Sequence, residues 1–205
     1  MAINIRRLGL KDYLQTWQAM QAFTAERQTE ANDEIWIVEH PPVYTLGLNG
    51  KRKHIISATN IPVVETDRGG QVTYHGPGQL VVYTLLDIKR LKLGVRSLVS
   101  LLEQAMLDTL SQYGIRASAR RDAPGVYIQG KKIGSVGLRI KKGCSYHGLS
   151  FNNHMDLSPF NYINPCGHPD LKVTQVYDQG IDVQTDELAI PVTHSIYTAL
   201  QQAYE

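Results

Sequence analysis

Residues 68–80 read RGGQVTYHGPGQL and run directly into the apolar VVYTLL of residues 81–86. A run of β-branched and apolar residues without a charge belongs to a strand buried on both faces. Four glycines and a proline just before it rule out a regular helix there and let the backbone adopt positive φ and approach another surface closely. The chain must therefore set a flexible segment against one of its most buried strands. Two readings follow. Tight turns flanking a strand would satisfy the glycines; so would the wall of a ligand site, with Arg68 and His75 supplying charge and a proton beside backbone N–H groups that a ligand can approach. The segment has no GxxxxGK[ST] pattern, so a Walker-type phosphate loop is excluded.

Helical and strand patterns alternate around this segment. Leu10, Tyr13, Leu14, Trp17 and Met20 recur at helical spacing, as do Leu98, Leu101, Leu102, Ala105 and Leu110 until Gly114 supplies a stop. Val192, Ile196, Ala199 and Ala203 form a third stripe, with Pro191 suited to its first turn. IWIV, VYTL, PVVE, VVYTLL and GVYI read as strands bounded by Gly and Pro. GVYIQGKKIGSVGLRI reads as a hairpin turning near Gln129 and Gly130, and SYHGLSF as the next strand. These patterns predict an α/β (α+β) fold, one domain over residues 1–205 with a mixed central β-sheet flanked by helices.

At 205 residues and 42% hydrophobic composition the chain can build a sizeable core. No run is long enough for a membrane-spanning helix, and MAINIRRLGLKDY lacks the apolar stretch of a secretory signal, which together predict a cytoplasmic protein. Cys144 and Cys166 are then expected as free thiols. Charge is distributed unevenly: residues 51–150 carry 16 basic against 6 acidic side chains, and residues 151–205 carry 1 against 7. The basic middle is either a solvated face or a surface that steers an acidic partner, nucleic acid or an acidic carrier protein. Few aromatics interleave its basic residues, which counts against a nucleic-acid-binding module.

Cys166 lies in NPCGHP, where neighbouring Pro165 and Gly167 place its thiol on a loop; there it is either a small buried hydrophobe or a nucleophile. Cys144 opens a strand and reads as structural. Glycines within KKIGSVG weaken a strand unless something approaches its backbone, either a ligand or a packed neighbour. Cys144, His147, His154, Cys166 and His168 include the types that ligate zinc, but a C-x-H pair is not the usual spacing of a structural site, and no metal is expected. Strand alternation puts Lys131 and Lys132 on opposite faces, so only one can face a slot, and it places Gly134 beside Lys132 with room above it.

Taken together, RGGQVTYHGPGQLVVY, APGVYIQGKKIGSVGLRIKKGCSYHGLSFN, NHMDLSPF and INPCG resemble, in order, the motifs of the lipoyl(octanoyl) transferase family. The resemblance runs from HPPVYTLG to INPCG. It implies a domain related in fold to biotin and lipoate protein ligases that acts without ATP or another cofactor, the acyl group arriving on the phosphopantetheine of acyl carrier protein. Its partners would be octanoyl-acyl carrier protein and the lipoyl domains of 2-oxoacid dehydrogenase complexes and glycine-cleavage H protein, with no nucleic acid and no membrane. The family's acyl-accepting cysteine falls on Cys166 and its thiol-activating lysine on Lys132. Its substrate-lining positions fall on Arg68, Gly69, Gly70, Gln71, Val72, Thr73, Tyr74 and His75, on Ser135, Val136 and Gly137, and on Gly148, Leu149 and Ser150. An ATP-dependent ligase on the same fold is the competing enzyme; it would have no use for Cys166.

Overall fold

The computed structural model describes residues 2–57 and 59–204. Its first half runs β1 (Ile3–Leu10), α1 (Tyr13–Glu26), β2 (Asp33–Glu39), β3 (Val43–Leu46), β4 (Val63–Glu65), β5 (Val72–His75) and β6 (Gln79–Leu85). Its second half runs α2 (Val95–Gln112), β7 (Ser118–Ala119), β8 (Gly125–Ile128), β9 (Lys131–Lys141), β10 (Cys144–Asn152) and α3 (Thr185–Tyr204). A seven-stranded sheet takes the order β1-β2-β6-β10-β9-β8-β7, parallel only between β1 and β2, and a small second sheet takes the order β4-β3-β5. The fold is thus the mixed α/β architecture that the patterns predict. Among the described residues no helix is long and apolar enough to cross a membrane.

Helices α2 and α3 cover one face of the large sheet, where Leu98, Leu102, Met106, Leu188, Val192 and Ile196 pack with Ile35, Leu80, Val82 and Phe151 into the main core. α1 covers the other face, over Trp36, Val38, Val81, Tyr83 and Tyr146. The strand β6, read from VVYTLL, is buried along its whole length because both faces are covered. Gln129 and Gly130 turn the β8–β9 hairpin with φ of 49° and 79°, a pair of left-handed residues that matches the twist of the strands they join.

Three expectations need correction. Leu10 belongs to the end of β1 and is exposed; α1 starts at Tyr13, capped by the Asp12 carboxylate, which accepts from the Gln15 N–H at 2.9 Å. Its buried positions are Tyr13, Thr16, Met20 and Thr24, since it covers polar groups as well as apolar ones, so Leu14 points out. α3 starts at Thr185, six residues before Pro191: the Gln184 N–H donates to the Glu187 carboxylate at 3.0 Å, half of a capping box, and Pro191 sits inside the helix. Gly134 does not share the face of Lys132. Val126 pairs with Gly134 and Tyr127 with Lys132, so Ile133 is the extra residue of a β-bulge and is buried in the core. A Cβ on Gly134 would stand 2.3 Å from Met106 Sδ, which shows that this glycine lets α2 approach.

Gly148 serves close approach in the same way. A Cβ there would fall 2.0 Å from the Val82 carbonyl oxygen and 3.1 Å from Tyr83 Cα, both backbone atoms that cannot step aside. Gly148→Ala is therefore expected to destabilise the protein by about 1–3 kcal/mol, read as a lowered Tm; an unchanged Tm would show that β6 and β10 are not held at this spacing.

Candidate active site

Cys166 sits on a 3-10 turn, Pro165–Gly167, with φ 56° and ψ 16°, left-handed values that cost a non-glycine residue about 1 kcal/mol. The Gly167 and His168 N–H groups donate to Asn164 O at 2.9 Å and Pro165 O at 3.0 Å, and the Asn164 N–H donates to His54 O at 2.7 Å. These bonds hold the strained residue in place. Lys132 Nζ lies 3.0 Å from Cys166 Sγ, although 34 residues separate the two in the chain. Lys132 is only 4% exposed, whereas Lys131 points to solvent. Room for the Lys132 side chain comes from Gly125, at φ 133°, where a Cβ would fall 2.6 Å from Lys132 Cε. The ammonium also lies 5.4 Å from the ring centre of Tyr127, whose hydroxyl is fixed on Ala123 O at 2.7 Å.

A cavity of about 450 Å³ opens at this pair. Ser135 pairs with Ser150 and Gly137 with Gly148 across β9 and β10, so the floor is a block of small residues on the face that also carries Val81 and Tyr83. Residues 68–73 form the roof. At Gly137 a Cβ would stand 3.4 Å from Gly69 O and from Arg68 Cδ, so roof and floor nearly touch there, and the Gly69 N–H donates to Leu138 O at 2.9 Å. Cys166, Lys132, Arg68, Gly69, Gly70, Gln71, Val72, Thr73, His75, Ser135, Val136, Gly137, Gly148, Leu149 and Ser150 all line the cavity. Tyr74 does not: on a strand it faces opposite to Thr73 and His75, and it packs on Tyr44 and Phe160 in a separate core. Tyr13, Tyr83, His147, His168 and the Asp122–Pro124 loop also line it, and no local pattern announces them because the fold brings them in from distant segments.

The polar groups of the roof are engaged within the protein. Arg68 is 9% exposed; its guanidinium donates to Gly69 O, Gln71 O, Thr45 O and Thr45 Oγ1 at 2.6–3.2 Å, so its charge fixes the roof. Burial, then the neighbouring His40, pushes His75 down to about 3, and it stands as a neutral imidazole stacked on Tyr13. His40, held between Lys11 O and the Tyr83 hydroxyl at 2.7 Å each, is pushed down by burial to about 4. Behind them Asp67 gathers Trp17 Nε1, Gln21 Nε2, the Tyr146 hydroxyl and His147 Nε2; these bonds overcome the burial that opposes its charge and hold its carboxyl well below the usual range. Burial lowers His147 despite its bond to Asp67. Cys144, the other free thiol, is pushed up by burial at the start of β10.

Residues 12–195 match the family model of the lipoyl protein ligase A/B catalytic domain. The chain is 57% identical over 186 residues to an octanoyltransferase of Alkalilimnicola ehrlichii, covering 91% of this chain and 86% of that protein. It is 54% identical over 200 residues to an octanoyltransferase of Methylococcus capsulatus, covering 98% and 97%. Among solved structures it superposes on a lipoate-protein ligase A bound with ATP with a TM-score of 0.81 at 16% identity, over 98% of this chain and 86% of that one. A biotin protein ligase from Aquifex aeolicus follows with a TM-score of 0.56 at 16% identity, over 98% and 70%. At such identities these two likenesses concern the fold.

Three buried neutral histidines around the roof make the fold sensitive to acid. Their folded values lie below the 6.5 of the unfolded chain, so on acidification the unfolded state takes up protons that the folded state refuses. Their contribution is intact above about pH 6.5 and is lost as pH falls towards 4 and 3; at pH 5 His40 and His75 should each remove about 2 kcal/mol. Urea denaturation at pH 7, 6 and 5 should show this decline, with a shallower one in His40→Asn. Stability that stays level across this window would contradict the neutral, buried assignment.

Proposed function

Because the chain belongs to the lipoyl protein ligase A/B catalytic domain family and shares more than half its residues with octanoyltransferases along most of its length, we propose that it transfers octanoyl groups in protein lipoylation through a thioester on Cys166. The observation that carries the mechanism is the 3.0 Å contact between Lys132 Nζ and Cys166 Sγ at the mouth of a slot floored by small residues. The acyl donor is octanoyl-acyl carrier protein and the acceptor a lysine of a lipoyl domain, in a cytoplasmic reaction that uses no further cofactor.

A thiolate, not a thiol, is the nucleophile, and an adjacent ammonium favours it electrostatically. The Cys166 thiolate attacks the thioester carbonyl. The tetrahedral intermediate expels the phosphopantetheine sulfur, which takes a proton from the Lys132 ammonium. Lys132, now a neutral amine, removes a proton from the lysine amine of the lipoyl domain as that amine attacks the acyl-Cys166 thioester. An amide forms, the Cys166 thiolate departs, and thiolate and ammonium are restored. The amide is the more stable product, so the second step drives the first. The slot holds the alkyl chain over Ser135, Gly137 and Ser150, where side chains larger than these would fill it.

Mixing the protein with octanoyl-acyl carrier protein and measuring intact mass should show one octanoyl adduct, mapped by proteolysis to Cys166 and not to Cys144. Cys166→Ser should lose adduct and turnover; full activity in it would end the thioester proposal. Lys132→Ala should slow transfer by about 10²–10⁴-fold, while Lys131→Ala, altering an exposed side chain, should change it little. The solved ATP-bound relative favours testing a second reading, in which this chain is itself an ATP-dependent ligase. Thermal shift with ATP separates the two: no stabilisation is expected.

A further inference from the structure

A second set of side chains, outside the dyad, links the slot roof to the lysine. Thr174 O is an acceptor only, and Asn152 Nδ2 donates to it at 2.9 Å. Asn152 therefore turns Oδ1 towards Gln79, whose Nε2 donates to it at 2.9 Å and to Tyr74 O at 3.2 Å. Both amide hydrogens of Gln79 are then used, and its Oε1 accepts from His75 Nδ1 at 2.6 Å. His75 must carry its proton on Nδ1, which leaves Nε2 as a bare acceptor for the Thr45 hydroxyl at 3.4 Å. The other end demands the same polarity, because Arg68 can only donate and gives two N–H bonds to Thr45 Oγ1, at 2.8 and 3.2 Å. Every bond in the chain points the same way, and a cation stands at its donor end.

The acceptor end grips the reactive lysine. The Thr174 N–H donates to Lys132 O at 2.9 Å and the Lys132 N–H donates to Lys172 O at 2.8 Å, so residues 172–174 clamp Lys132 as an extra strand edge just after the turn that carries Cys166. Asn152 holds that edge at two points, through its side chain at Thr174 and through its backbone oxygen, which accepts from the Val176 N–H at 3.0 Å. Asn152, Gln79 and His75 are all at most 6% exposed. Among the described residues no hydrogen bond joins any of the three to Lys132 Nζ or Cys166 Sγ, although Gln79 and Asn152 line a small cavity together with both.

We infer that Asn152, with Gln79 and His75, is a positioning residue of this enzyme: a one-way hydrogen-bond chain from Arg68 to Thr174 sets the register of Lys132 against Cys166. The inference rests on the Cys166–Lys132 reading and adds a requirement to it, that His75 is a neutral Nδ1–H relay and gives no proton to the reaction.

Two experiments test it. Nitrogen-15 NMR of histidine-labelled wild-type protein at pH 7 should show His75 protonated on Nδ1 and bare on Nε2; an Nε2–H or doubly protonated ring would reverse the chain and overturn the proposal. Asn152→Asp keeps size but replaces the donor to Thr174 O with an acceptor. Alkylation of Cys166 by iodoacetamide at pH 7 should then slow about tenfold, because Lys132 no longer stands squarely against the sulfur, while alkylation of Cys144 reports whether the fold has loosened. In a Lys132→Ala background the same change should add nothing, since it acts through Lys132; a full additive loss there, or an unaltered rate in the single variant, would refute the relay. Should Asn152→Asp fail to fold, Gln79→Glu breaks the neighbouring link. If Lys132→Ala alone leaves alkylation untouched, the dyad reading itself falls, an outcome distinct from failure of the relay alone.

Discussion

A lysine ammonium removed from water is costly unless opposite charge or π density meets it, and Lys132 is the buried cation around which this end of the cavity is built. Its surroundings are arranged to accept it. Gly125 vacates the volume that its methylenes fill, the Tyr127 ring lies beneath its charge, and Cys166 Sγ receives its hydrogen bond. The β-bulge at Ile133 is part of the same solution. Without the extra residue, strict alternation along β9 would put Lys132 in phase with Gly134 against α2; with it, the lysine turns to the slot while Ile133 and Gly134 stay with the core.

The slot follows from what the two central strands lack. Where β9 and β10 pair through Ser135–Ser150 and Gly137–Gly148, the sheet has almost no side-chain layer, and the space that larger side chains would fill is left open as a slot. A roof over such a gap has few apolar contacts to hold it down. Arg68 supplies them in another form: its planar fork reaches three carbonyl oxygens and a hydroxyl at once, which a lysine with a single nitrogen could not do. Asp67, one residue earlier, anchors the same segment to α1 and β10.

Much of this could be read from order and composition alone, and the parts that could not share a physical cause. IWIV, VVYTLL and GVYI announce strands because burial on both faces leaves an uninterrupted apolar run. The residues that the motif resemblance names, Tyr74 apart, all line one cavity. Tyr74 was misplaced because a contiguous motif carries no account of which face each residue takes. Gly134 was misplaced because a bulge resets the two-residue period without leaving a mark in the sequence. Tyr13 reads only as a helix-stripe residue and His147 only as a metal-ligand type, because their places at the cavity come from partners such as Thr66 and Asp67, 53 and 80 positions away. The start of α3 is hidden because the apolar stripe and Pro191 both point to residues near 191, while the cap is a single bond from the Gln184 N–H to Glu187.

Cys166 and Lys132 meet only after residues 172–174 have closed on β9, and that segment lies in the last fifth of the chain. During synthesis the cysteine leaves the ribosome well after the lysine, and no local structure joins them until β9, β10 and the closing edge are all in place. Until then the two side chains stay apart. The Lys132–Cys166 contact is therefore a late mark of folding, one that cannot form in a chain that lacks residues 172–174 or has not closed them on β9.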